Sequence, residues 1–92
     1  MQGDPGSDPR VQELRAEITS TDHEIVSAVN HRLELVRRLK KHKAAMVYDF
    51  LDKGREEALL AELERENGGP LSAEGLRELH AELLELTKRE LG

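Results

Sequence analysis

The run "RVQELRAEITSTDHEIVSAVNHRLELVRRLKKHKAAM" (Arg10–Met46) decides the fold. It contains no Gly and no Pro, and the chain stays free of both through Lys53. Its apolar residues Val11, Leu14, Ile18, Ile25, Val29, Val36 and Leu39 step by threes and fours, which is the period of an amphipathic helix. A helix begins near Pro9 or Arg10. Proline is tolerated in a first turn, and Asp8 is placed to cap it. A helix over residues 10–46 is about 55 Å long at about 1.5 Å per residue. One small domain cannot cover such a rod, so a partner chain is expected, most simply in a symmetric homodimer.

The rest of the chain extends the same pattern. "MVYDFLDKG" (Met46–Gly54) mixes aromatic, β-branched and turn residues and reads as a connection. A second helix over Lys53–Glu66 carries Leu59, Leu60 and Leu63. "NGGP" (Asn67–Pro70) is a helix stop. Ser72 can cap a third helix over Ala73–Leu91, with Glu74 in its first turn. Its stripe is Leu76, Leu79, Leu83, Leu86 and Leu91. No segment alternates as a strand does. The expected fold is all-α: a three-helix protomer with one long N-terminal helix. Residues 1–9 read as a disordered tail and residues 10–92 as one helical domain.

Composition removes several function classes. The 92 residues include no cysteine, which excludes disulfides and thiolate-ligated zinc. That usage suits the cytoplasm. No apolar run reaches the roughly 20 residues of a membrane helix, and the N-terminus lacks the pattern of a signal peptide. The net charge of −5 disfavours a general nucleic-acid binder. Tyr48 and Phe50 are the only aromatics, so bases have no stacking platform. His23, His31, His42 and His80 show no metal-ligand spacing, and a surface role is expected for them. Charge is nonetheless uneven: residues 10–46 hold 8 basic and 5 acidic side chains, residues 47–92 hold 6 and 12.

The phase of the basic residues on the first helix separates them. With Val29 as reference and about 100° per residue, Arg32, Lys43, Val36 and Leu39 fall within about 80°. Arg15 and Asp22 lie about 40° and about 20° away, on the same side. Arg38 points about 180° away, into solvent. Lys40 and Arg37 are assigned to the edge of the face. Arg and Lys can bury their stems and lift their charges to water. Three cations on one apolar stripe ask for more. A buried cation without a partner costs several kcal/mol, so carboxylates of the protein or an anionic ligand should meet Arg15, Arg32 and Lys43. On the second helix, Asp52 and Glu56 share a face with Leu59 and Leu63, although acid at a helix N-terminus is also ordinary capping. On the third, Thr87 lies on the apolar side, where its hydroxyl can simply bond to the backbone. With no nucleophile–base pair, such an interior suits a small dianion with hydroxyl groups, handled by positioning and electrostatics.

Four stretches carry a resemblance: "LRAEITSTDHEIVSAVNHR" (Leu14–Arg32), "KHK" ending at Lys43, "YDFLDKGRE" (Tyr48–Glu56) and "NGGPLSAEGL" (Asn67–Leu76). Over residues 11–91 the chain resembles the all-α, AroQ-type chorismate mutases. The resemblance implies an intertwined homodimer whose active sites lie between helices, with Arg15 reaching the partner's site. It implies that Arg15 and Arg32 bind the two substrate carboxylates, and that Lys43 contacts a carboxylate and the ether oxygen. Asp52 and Glu56 would meet the hydroxyl side, Arg55 would support the carboxylate network, and Thr87 stands where the family commonly has serine. The catalytic set is then Lys43, Arg32 and Glu56, with no cofactor and no metal. The implied activity is an isomerase step of aromatic amino-acid biosynthesis, chorismate to prephenate.

One position departs from the family. Four residues after Thr87 the family usually has glutamine or glutamate as a second donor to the ether oxygen; here Leu91 stands. Either Lys43 works alone, or Glu90 serves as a protonated donor. The departure leaves related readings: isochorismate pyruvate-lyase or aminodeoxychorismate mutase on the same scaffold. A regulatory chorismate-binding module, attached to or activated by an aromatic-pathway synthase, is another. A helix-bundle interaction protein without a ligand would tolerate alanine at Arg15, Arg32 and Lys43.

Overall fold

A computed structural model of the chain describes residues 7–45 and 52–92. The connection read at residues 46–51, with Tyr48 and Phe50, lies outside the described residues, as do residues 1–6 of the expected tail. Three helices follow in order: α1 (Pro9–Ala45), α2 (Lys53–Glu66) and α3 (Ala73–Leu91). Among the described residues there is no strand. Both later helices have the bounds the sequence predicts. The first starts at Pro9, one of the two starts read from the sequence.

Each helix start is set by a side-chain cap. The Arg10 amide donates to Asp8 Oδ1 at 2.8 Å, the Arg55 amide to Asp52 Oδ1 at 3.1 Å, and the Gly75 amide to Ser72 Oγ at 2.9 Å. Such caps satisfy amides that the helix itself leaves open. Between α2 and α3, Asn67 uses both ends of its side chain. Its Oδ1 accepts from the Gly69 amide at 3.1 Å and its Nδ2 donates to the Leu71 carbonyl at 2.8 Å. Gly69 turns the chain at φ +76°, a conformation that costs glycine little.

The described chain falls into two units, Met1–Arg32 and Leu33–Gly92. Among the described residues of the first, α1 is the one helix, and Leu14, Ile18, Ile25 and Val26 are exposed, Ile18 by 60% and Ile25 by 54%. In the second, α2 packs on α3. Among the described residues, Leu76, His80 and Thr87 on α3 are buried, and Leu59, Leu60 and Leu63 of α2 are half-buried. The last turn of α3 is held by Lys40, whose ammonium donates to the Leu91 carbonyl.

Candidate active site

The cations of α1 divide by exposure much as their helical phase predicts. Arg32 and Lys43 are half-buried, while Arg37, Arg38 and Lys41 are exposed. Arg37 pairs along the helix with Glu34 at 3.5 Å, both in solvent, an arrangement worth little. Arg15 is exposed and shares its unit with the uncovered apolar stripe. Lys40 departs from the expectation of an edge residue. It is half-buried and bonded to Leu91. Its phase, about 20° from Val29, is the signal that identifies it.

In the second unit, Asp52 is exposed and serves as the N-cap of α2. The cap aligns the first turn and so fixes where Arg55 and Glu56 leave the helix. Arg55 is exposed; Glu56 is half-buried. Glu56 lines a cavity of about 300 Å³ together with Lys53, Leu84 and Lys88. Two ammonium groups and a carboxylate around an apolar floor make a pocket suited to a small polar ligand. A second cavity of about 540 Å³ is lined by Arg37, Lys40, Lys41, Glu90 and Leu91. Glu90, the alternative acid, is exposed there among three cations.

Thr87 is 1% exposed, and its hydroxyl donates to the Leu83 carbonyl at 2.7 Å. This is the backbone bond that a threonine on a buried helix face commonly makes.

His80 corrects the expectation of a surface histidine. It is 6% exposed. Its Nε2 stands 3.4 Å from Glu56 Oε2, and both atoms are buried without a hydrogen-bond partner. The sequence held the signal: His80 is four residues after Leu76 and three before Leu83, on the stripe itself. The structure therefore brings Glu56 and His80 together. Arg15 and Arg32 belong to the first unit, and Lys43, Asp52, Arg55, Glu56 and Thr87 to the second.

Comparison with known proteins agrees with this architecture. The family model "Chorismate mutase type II" matches residues 14–90. Chorismate mutase (form I) from Thermus thermophilus has a similar structure, with a TM-score of 0.82 at 32% sequence identity. That match covers 85% of this chain and 98% of the other. Among curated protein sequences, none matches. The match over residues 14–90 takes in all three helices nearly to their ends, and with it the chain belongs to the type II chorismate mutase family.

Proposed function

We propose that this chain rearranges chorismate to prephenate by electrostatic stabilisation and conformer selection, without a cofactor or a covalent intermediate. The family is one of isomerases, and the observation that carries the mechanism is the sorting of charge on α1. Arg32 and Lys43 are withdrawn from solvent while Arg38 and Lys41 remain in it. Partial desolvation strengthens the attraction between a cation and an anion, and a dicarboxylate substrate offers two anions to this face.

In the reaction the ether C–O bond breaks as a C–C bond forms, with bond breaking ahead. Negative charge grows on the ether oxygen. The Lys43 ammonium, fixed beside that oxygen, stabilises the transition state more than the ground state. Arg32 and the partner's copy of the Arg15 position bind the two carboxylates and hold the reactive conformer. Asp52 and Glu56 take the hydroxyl side, Arg55 steadies the carboxylate network, and Thr87 lines the site. With leucine at position 91, Lys43 acts at the ether oxygen alone. The site is completed in a homodimer, for which the exposed Leu14, Ile18 and Ile25 supply an apolar face. A cytoplasmic role in aromatic amino-acid biosynthesis, with an aromatic-pathway synthase as activator, belongs to the same proposal.

The test is loss of chorismate absorbance with the purified chain and identification of the product. Prephenate supports the reading; pyruvate points to lyase chemistry instead. Arg32→Ala and Lys43→Ala should keep wild-type helix content and lose about 10²–10³-fold in kcat/KM. Wild-type turnover in both variants would sink the proposal.

A further inference from the structure

We infer that His80 is a positioning residue that holds one oxygen of the Glu56 carboxylate and leaves the other for the ligand in the adjoining cavity. The inference rests on the reading above in one respect, that Glu56 acts on the substrate.

The geometry is specific. His80 has a side chain only 7% exposed, Glu56 one only 22% exposed, and their nearest polar atoms are 3.4 Å apart. Among the described residues neither Oε2 nor Nε2 has a hydrogen-bond partner. A buried polar atom left unbonded is costly, and here two such atoms face each other. A closer approach of a few tenths of an ångström gives a hydrogen bond of ordinary length. The carboxylate can only accept, so the ring donates, which puts the proton on Nε2. The neutral imidazole suffices, since the other nitrogen need not be protonated. The same carboxylate reaches the cavity shared with Lys53, Leu84 and Lys88. Those two ammonium groups are the other charges at the cavity, and they would otherwise draw Glu56 toward themselves. Without His80, Glu56 would be free to turn to Lys53 or Lys88. His80 itself stands behind the carboxylate and needs no contact with the substrate. This arrangement resembles the way an outer residue orients a ligating or reacting group elsewhere.

The test uses the full chain labelled with nitrogen-15. His80 ring signals are assigned by their loss in His80→Gln. The expected wild-type tautomer carries its proton on Nε2. In Glu56→Leu the His80 Nε2 ring signal should move, because its acceptor is gone. A proton on Nδ1, or an unchanged Nε2 signal in that variant, overturns the pairing. Activity supplies the second arm. Glutamine at position 80 can still donate from a terminal nitrogen, so His80→Gln should stay within about threefold of wild-type kcat/KM. The apolar His80→Leu should lose about tenfold to a hundredfold, mostly in kcat, at unchanged helix content. Equal activity in the leucine variant overturns the positioning role. Wild-type turnover in Glu56→Gln would remove Glu56 from the proposed chemistry, and the positioning role with it, while the Nε2 tautomer and the changed Nε2 signal in Glu56→Leu would still report a structural pair.

Discussion

Lys40 and Leu91 are joined across 51 positions of sequence, the lysine ammonium donating to the leucine carbonyl. The last carbonyls of a helix have no partner within it, and they form the negative end of its dipole. Lys40 answers both needs. A hydrogen bond to a charged group is worth about 1.5–3 kcal/mol. Lys40→Met keeps most of the stem and removes the donor. Urea unfolding at fixed protein concentration should show it less stable by about 1–2 kcal/mol. An unchanged midpoint would mean that water replaces the bond at no cost.

The Leu91 side chain gives a separate prediction, because Lys40 is bonded to the backbone and not to it. Leu91→Gln should leave that bond in place. If the family's second donor belongs four residues after Thr87, the variant gains a contact to the ether oxygen. kcat/KM should rise by about tenfold or more, since losing one such donor costs about 10²–10³-fold. Glu90→Gln should leave kcat/KM unchanged, and the wild-type profile should stay flat from acidic to neutral pH. A rise in kcat/KM as pH falls, abolished in Glu90→Gln, would assign the donor to Glu90 instead.

Asp52 has two jobs that can be pulled apart. As the cap of α2 it accepts from the Arg55 amide; in the proposed mechanism it also meets the substrate. Serine caps about as well as aspartate, whereas alanine costs about 1 kcal/mol. Asp52→Ser should therefore melt like wild type and Asp52→Ala should melt lower. Both should lose turnover. Full activity in Asp52→Ser would reduce Asp52 to a cap.

The exposed stripe of the first unit predicts an assembly. Sedimentation or light scattering should give twice the chain mass. Ile18→Glu, placed at one of the most exposed points of the stripe, should shift the mass toward the monomer and reduce turnover together. A monomeric wild-type chain with full activity would contradict the shared site.

The helices were legible because their ends carry local chemistry. Asp8, Asp52 and Ser72 cap them, and Asn67 to Pro70 stop the second. Bounds of that kind depend on neighbours in sequence, and α2 and α3 start and stop where those residues dictate. The split between Arg32 and Lys43 on one side and Arg38 on the other was legible for the same reason, since helical phase alone sets it. His80 and Lys40 were not, although both lie on apolar stripes. Periodicity tells which face a residue occupies, but not what awaits it there. Their polar nature argued for solvent, while the carboxylate of Glu56 and the carbonyl of Leu91 come from distant turns of the chain. Thr87 and Asp52 illustrate the converse: their ordinary backbone bonds were foreseeable, and the structure has them.

Arg15 is exposed on α1, and no other described residue of its unit forms a second element beside it. In the proposed mechanism Arg15 serves the partner's site. Ownership of the reaction is then divided between two copies, and defects in different copies can be made good by mixing. Chains carrying Arg15→Ala and chains carrying Lys43→Ala would each be inactive alone. Exchanged at equal amounts, they form mixed pairs in which one of the two sites receives a sound arginine and a sound lysine, so about a quarter of the wild-type sites return. Two broken proteins would restore a working one.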